Sequence, residues 1–521
     1  MYGCPGCGSM MTFDIPGQQL KCISCGRTEA IEEADRREAR KAGSSFAVDV
    51  LTCPTCGAQI RSMNTAQAAF CSYCGASVLL DRREAEMEAP DTVAPFRITR
   101  EECFEKYRSM VRKSLCADRK LKKEVTAESF RGIYVPHYVY SAAVRGETVL
   151  EGTETKGNDT YYYNTSVTLN HRYNNILHDA SREMPDTMSE KIAKVEEDAF
   201  RPFSPAYLSG FYADVPDTEK SAYIPFAKAE AVRMGLQDVM SDLEGGYHYA
   251  TGETEKKLVK MAHAECTGRT LVPVWFMSIR SGNRLLYAVQ NAVTGEMTAD
   301  IPMDIPRFGL IALAVAALVF LLLNSLNVTL RPEMVLMVSM LLALCAQWLV
   351  NRHRSSIRER ETEEGAIDGN DNLAQRLKQR KKMASHAKGS MTGVMQTIGG
   401  TVGLVVLLYG LTRLAELNNA KAFQIAALVM TAVLGGLMWW GSRTRVRTPI
   451  GCWAALIITV LGMLNLIVNP FHSDDLIMYL LSFACLLSVV WVCVDVLTLH
   501  NRACSNPMPQ FETHQGGDDR A

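Results

Sequence analysis

The chain has 521 residues with 55 Lys and Arg against 56 Asp and Glu, so its net charge of −1 points to no polyanionic partner at the whole-chain level. Its 48% hydrophobic content hides an asymmetry, because residues 1–307 are charged and mixed while most of 308–498 is apolar runs. The start carries no basic, apolar signal-peptide pattern, and the 16 cysteines fall into an ordered array of eight before residue 75 and eight others without paired spacing, which argues for reduced thiols over a disulfide framework.

The array reads first. Cys4-Pro5-Gly6-Cys7 is followed by Cys22-Ile23-Ser24-Cys25, and Cys53-Pro54-Thr55-Cys56 by Cys71-Ser72-Tyr73-Cys74. Each set has fourteen residues between its pairs, and every cysteine of the second set lies 49 positions after its counterpart, so this is an internal repeat. A glycine follows each pair (Gly8, Gly26, Gly57, Gly75), where a backbone turning tightly around an ion needs positive φ. Two such knuckles make a four-sulfur tetrahedral site with no open position, the arrangement of structural zinc. The expectation is therefore two Zn2+ ions, one on Cys4, Cys7, Cys22 and Cys25, the other on Cys53, Cys56, Cys71 and Cys74. A single iron in a rubredoxin-like site would use the same ligands. Between its knuckles the first ribbon carries only Asp14 and Lys21, and the second only Arg61, too few cations for a phosphate-binding face.

The divisions expected are ribbon 1 at 1–28, a charged helical linker at 29–45 and ribbon 2 at 46–82. The linker pairs Glu32 with Arg36 and Glu33 with Arg37 at i,i+4 spacing. Asp81–Pro90 reads as a second polar linker. Residues 91–305 read as a cytosolic α+β domain with an antiparallel sheet. Thr99 and Glu102 form a capping box, followed by Phe104, Tyr107, Met110, Val111 and Leu115 at helical spacing. Eleven Lys/Arg against six acids between 97 and 131 make a basic patch suited to a solvated face or to anionic lipid. Ile133–Ala143 reads as a strand. Alternation from Tyr161 to Tyr173 predicts a long strand with one buried face, Ala227–Leu243 a helix, and Val272–Ile279 with Leu285–Asn291 a hairpin. The histidines show no metal-ligand spacing, and no phosphate loop, dinucleotide fingerprint or nucleophile elbow is present, so no catalytic residue and no enzyme activity is expected.

Six apolar stretches follow at 308–328, 334–350, 391–412, 422–440, 450–469 and 476–496, which predict a six-helix transmembrane bundle over 308–498 and a polar tail over 499–521. The 351–390 and 441–449 loops are rich in Lys and Arg, whereas the opposite loops carry only Arg331, Arg413 and Lys421. That bias places both termini in the cytosol of a multi-pass plasma-membrane protein. Within the stretches Asp495 is the ionisable candidate for a transport role, while Asn324, Gln347, Asn465 and the Gly399/Gly403 step suit helix packing.

Together these residues resemble a bacterial family of zinc-ribbon membrane proteins of unassigned role, labelled by analogy with the transcription-factor-IIB-type zinc ribbon or the zinc-binding part of the replication-restart helicase. The resemblance rests on Cys4–Gly8, Phe13-Asp14, Cys22–Gly26, Cys53–Ala58, Asn64–Ala66 with Cys71–Gly75, Phe130–Pro136, Tyr207–Ala213, Leu271–Trp275, Tyr287 and Thr294-Gly295, within residues 1–305. It implies metal binding and a membrane location, and it implies no helicase or transcription activity. The functional expectation is a non-enzymatic, membrane-anchored cytosolic adaptor with a protein partner. A transporter or channel component with a regulatory zinc-ribbon half is the alternative, and a membrane-tethered nucleic-acid binder a further one.

Overall fold

The structure is a computed structural model. It describes residues 2–38, 45–62, 71–76, 81–156, 159–180, 194–214, 218–242, 248–250, 252–282, 284–325 and 475–507, with isolated positions elsewhere. The chain divides into two compact units, one of Met1–Ser114, Lys120–Asp300 and Asn506–Ala521, the other of Leu115–Arg119 and Ile301–Ser505.

The first unit opens with a three-stranded antiparallel sheet of β1 (Met11–Asp14), β2 (Gln19–Cys22) and β3 (Thr28–Glu29). Its alternation buries Met11, Phe13, Leu20 and Cys22. Helix α1 (Ile31–Glu38) follows and is more than a solvated linker: Ile31 and Ala34 are buried, and Arg37 bonds the Gly3 carbonyl at 2.7 Å and Glu29 at 2.9 Å. Arg36 donates to the Glu32 backbone carbonyl at 3.2 Å. The expected i,i+4 register therefore gives way to contacts that clamp α1 to ribbon 1.

A 13-stranded sheet forms the body of this unit. It begins with β4 (Ser45–Thr52), β5 (Gln59–Ser62), β6 (Asp81–Glu88) and β7 (Thr92–Val93). The polar linker expected at 81–90 is instead largely strand, since β6 pairs β4 from Thr52↔Asp81 to Ser45↔Glu88. Backbone ladders do not depend on side-chain polarity, and a charge-dense strand suits the end of a sheet, where it blocks further pairing. Helix α2 (Arg100–Lys113) starts at the capping box read from sequence, with Glu102 N–H to Thr99 Oγ1 at 3.3 Å and Thr99 N–H to Glu102 Oε2 at 2.8 Å. Helix α3 (Arg119–Lys123) is short.

The centre is built by β8 (Arg131–Lys156), β9 (Asp159–Asp179) and β13 (His263–Ser281), with β14 (Arg284–Asn291) and β15 (Met297–Ala299) continuing from β13. These pairings are antiparallel. The sheet is mixed overall, because β11 (Tyr212–Ala213) runs parallel to β8 and β7 parallel to β13. Short strands β10 (Arg201–Pro202), β12 (His248–Ala250) and β16 (Asn506–Pro507) complete it. Helices α4 (Ile224–Asp242) and α5 (Gly252–Met261) cover one face through Ala227, Ala231, Leu236 and Leu258 against Tyr140, Val144, Leu150 and Leu169. The buried face expected along β9 holds only in part. Val167 and Leu169 lie under the helices, but Tyr161, Tyr162 and Tyr163 are exposed because the β8–β9 hairpin outruns its helical cover. Phe96 stacks on Phe211 at 4.1 Å, with Trp275 and Tyr134 at their edges, over Gly132, where a Cβ would collide with the Phe211 ring.

The second unit contains α6 (Ile305–Ser325) and α7 (Asp475–Ala503). Asn501 on α7 bonds both backbone groups of Met303, accepting at 2.7 Å and donating at 2.8 Å. Here the sequence expectation is corrected. Among the described residues one helix, Leu476–Arg502, is long and apolar enough to cross a membrane, by length and composition. Helix α6 carries a shorter apolar segment, Ile305–Leu318, among the described residues. The stretches expected at 391–412 and 422–440 lie outside the described residues, and those at 334–350 and 450–469 largely so. A six-helix bundle is thus not the architecture found, and the multi-pass assignment with both termini cytosolic, which depended on the count of spans, falls with it. Hydropathy reports apolar composition, which by itself fixes neither the length nor the number of spanning helices.

Candidate metal centres

The cysteine array folds into two clusters, Cys4, Cys7, Cys22 and Cys25, and Cys53, Cys56, Cys71 and Cys74, with the sulfurs of each within 4.8 Å of one another. Each could hold a metal ion. The local cause is the same turn four times. In each knuckle the glycine N–H returns to the carbonyl of the first cysteine: Gly8 to Cys4 at 2.9 Å, Gly26 to Cys22 at 3.1 Å, Gly57 to Cys53 at 2.8 Å, Gly75 to Cys71 at 3.0 Å. These glycines sit at φ of 75°, 74°, 81° and 64°, the left-handed region the sequence reading requires of them. Each knuckle is closed by the N–H of its first cysteine bonding the carbonyl five positions on, as in Cys4 to Ser9 at 2.7 Å and Cys53 to Ala58 at 2.9 Å.

The sulfur spacing tests the fit to a metal. Cys4 and Cys25 Sγ lie 3.6 Å apart, Cys7 and Cys22 3.5 Å, Cys53 and Cys74 3.7 Å, Cys56 and Cys71 3.8 Å. A disulfide would need about 2.05 Å. The edge of a tetrahedron with metal–sulfur bonds of about 2.3 Å is about 3.8 Å, which these distances approach. Backbone N–H groups also point at the sulfurs, Gly6 to Cys4 at 3.4 Å and Cys25 to Cys22 at 3.5 Å, and such donors favour thiolate. The Ser9 N–H and hydroxyl, with Cys22, draw the Cys7 thiol down to about 6. In the second cluster the sulfur–sulfur hydrogen bonds hold Cys53 below the ordinary thiol range and Cys56 and Cys71 above it, as expected of four thiols sharing protons at close range. Both clusters fit a four-thiolate divalent ion.

The clusters differ in what surrounds them. Ribbon 1 attaches by its strands, away from the sulfurs: Phe13 N–H bonds the Ser209 carbonyl at 2.8 Å, and the Phe13 ring meets Tyr207 at 5.4 Å. Tyr2 and Ser204 both donate to Asp35, at 2.6 and 2.9 Å. Cys7 and Cys25, at its sulfur end, are exposed. Ribbon 2 attaches by the sulfur end itself. Its cysteines form one core with Ile133 and Val135 of β8, Val274 and Phe276 of β13, and Leu285, Tyr287 and Val289 of β14. Three side chains claim the carbonyls of the Cys71–Cys74 knuckle: Ser278 Oγ donates to Ser72, Tyr287 OH to Tyr73 at 3.1 Å, and Arg280 Nε to Cys74 at 2.9 Å. The Tyr73 ring packs on Phe276 at 5.5 Å.

The sequence reading missed this docking set. Its trace is the interruption of an apolar strand by Ser278 and Arg280, two residues with donors. His137 is fully buried, with Nδ1 3.0 Å from the Val135 carbonyl and no partner for Nε2 among the described residues. Asn64–Ala66 and the basic 351–390 loop lie outside the described residues.

No family model matches the chain, and no solved structure matches it. It is similar to Uncharacterized protein YdjG of Bacillus subtilis (strain 168), 25% identical over 312 residues, which is 58% of this chain and 90% of that protein. That length exceeds the cysteine array several-fold, so most of the likeness lies outside it.

Proposed function

We propose that the protein is a non-enzymatic, membrane-attached adaptor whose two cysteine clusters each hold a structural Zn2+ and whose β-rich unit presents a cytosolic surface to a protein partner. The observation that carries the zinc reading is two closed four-sulfur shells at tetrahedral spacing, which leave no position for water or substrate. Zinc at these sites supplies folding energy to segments too small for a core of their own. The membrane reading is supported by Leu476–Arg502 and by its outward side chains, among them Leu480, Phe483, Val490 and Trp491 at 58–61% exposure. An apolar row of that size is stable against lipid and costly against water. A four-thiolate site needs reduced cysteines, which supports a cytosolic setting for the ribbons.

The test has three arms. Metal analysis of the purified full-length protein is expected to find two zinc equivalents. Flotation of extracts is expected to carry the protein with the membrane fraction through an alkaline carbonate wash. Affinity capture with and without residues 1–82 is expected to lose a defined partner when the ribbons are removed. Absence of metal, release by carbonate, or identical partner sets would each remove the corresponding part of the reading.

A further inference from the structure

The two clusters share ligand type, knuckle hydrogen bonds and sulfur spacing, yet solvent reaches only one of them. In ribbon 2 the cysteines are 1%, 0%, 0% and 0% exposed, and the knuckle above them is held by Ser278, Arg280 and Tyr287. In ribbon 1 Cys7 and Cys25 are exposed, and Ile23 at the knuckle tip is 69% exposed. Each exposed sulfur also has a buried neighbour at hand, Cys22 at 3.5 Å from Cys7 and Cys4 at 3.6 Å from Cys25. Ribbon 1 therefore combines an accessible thiolate with an adjacent resolving thiolate, the two requirements for site-selective oxidation.

We infer, resting on the zinc reading above, that ribbon 1 is an oxidisable and exchangeable metal centre that responds to peroxide, while the ion of ribbon 2 is locked in place. The chemistry balances with a hydroperoxide as two-electron oxidant. An exposed thiolate, Cys7 or Cys25, attacks the peroxide oxygen, the O–O bond breaks, and a sulfenic acid forms as hydroxide leaves and takes a proton. The neighbouring thiolate, Cys22 or Cys4, then attacks the sulfenic sulfur and expels a second hydroxide, which is also protonated. Two thiolates, one hydrogen peroxide and two protons give one disulfide and two waters. The ion, left with two ligands, departs. Because ribbon 1 is attached through Phe13, Tyr2 and α1 rather than through its sulfurs, its ion leaves without opening the large sheet.

The experiment uses full-length protein in detergent, loaded with zinc and freed of excess. Hydrogen peroxide is added, and released zinc is followed with a pyridylazo dye. Release is expected in two phases of one equivalent each, the second roughly tenfold slower or more. Alkylation and peptide mapping at the end of the first phase should find a Cys7–Cys22 or Cys4–Cys25 disulfide, with Cys53, Cys56, Cys71 and Cys74 still reduced. Dithiothreitol with fresh zinc should restore the lost equivalent. The C7S/C25S double variant should bind one ion and lack the fast phase. Release of both ions in one phase, or first-phase disulfides in ribbon 2, would overturn the inference and leave the zinc reading standing. A protein that carries no metal at all would overturn the zinc reading itself.

Discussion

Ribbon 1 and ribbon 2 share cysteine spacing, following glycines and knuckle geometry, but they meet the rest of the protein through opposite ends. Ribbon 1 offers strand β1 and helix α1 to its neighbours and turns its sulfurs toward water. Ribbon 2 turns its sulfurs inward and makes them part of a core shared with β8, β13 and β14. The difference teaches that one motif can serve as an appendage or as a keystone, according to which surface is buried. Metal energy spent in the appendage stabilises a local ribbon. The same energy in the keystone stabilises the sheet.

The most severe test of this contrast replaces one ligand in each ribbon. Structural zinc is worth about 10–16 kcal/mol apparent in isolated peptides. Cys56→Ser should therefore lose one zinc equivalent and abolish cooperative unfolding of the β-rich unit, as followed by circular dichroism. Cys7→Ser should lose one equivalent too, with the main unfolding transition nearly unmoved. Equal damage from both would end the distinction between keystone and appendage.

Next in size is the packing beneath ribbon 2. Phe276 is fully buried against Tyr73 and Tyr287, so Phe276→Ala should cost about 3–5 kcal/mol in denaturant unfolding. It should also speed zinc loss from ribbon 2 alone. A variant with unchanged release from that site would show that the sheet does not hold the knuckle.

The sheet beneath carries a further sensitivity that ribbon 1 lacks. Burial lowers His137 to about 4, against the ordinary 6.5, despite its bond to the Val135 carbonyl. The unfolded chain therefore takes up a proton below pH 6.5 that the folded chain refuses until about pH 4. Stability falls across that window, by about 3 kcal/mol at its lower end, and the term vanishes above it. His137→Phe should flatten this part of the stability profile between pH 7 and 4.5 while leaving ribbon 1 zinc content unaffected. A slope identical to the parent protein would show that His137 is charged or solvated in the folded state.

The smallest effect expected is at a single hydrogen bond. Tyr287→Phe keeps the ring but strips the Tyr73 carbonyl of its donor, for a loss of about 1–3 kcal/mol. Hydrogen exchange should quicken at the Cys71–Cys74 knuckle and not at Cys22–Cys25. Faster exchange at both would argue for a general loosening.

Much of this was legible in the sequence. Spacing and following glycine together specify the knuckle, because a C-x-x-C turn around an ion leaves the backbone few conformations and only glycine enters the left-handed one cheaply. The Thr99/Glu102 box and the β13–β14 hairpin are similarly local, each decided within a few residues. The strand at Asp81–Glu88 was not, because its pairing with β4 is a long-range event and its charges read as linker. Nor was the clamp on α1, where Arg37 prefers Glu29 and the Gly3 carbonyl to its own helix. The apolar runs after residue 307 misled in the opposite sense, since composition was read as a count of spanning helices.

The sequence by itself determined the eight ligands, their division into four and four, and the turn that gathers them, since these are properties of short segments with constrained backbones. Only the tertiary structure decided that one set faces water and the other lies beneath a sheet. That choice depends on Ser278, Arg280 and Tyr287, about two hundred positions from the cysteines they serve, and contacts so distant leave no periodicity for a sequence to display.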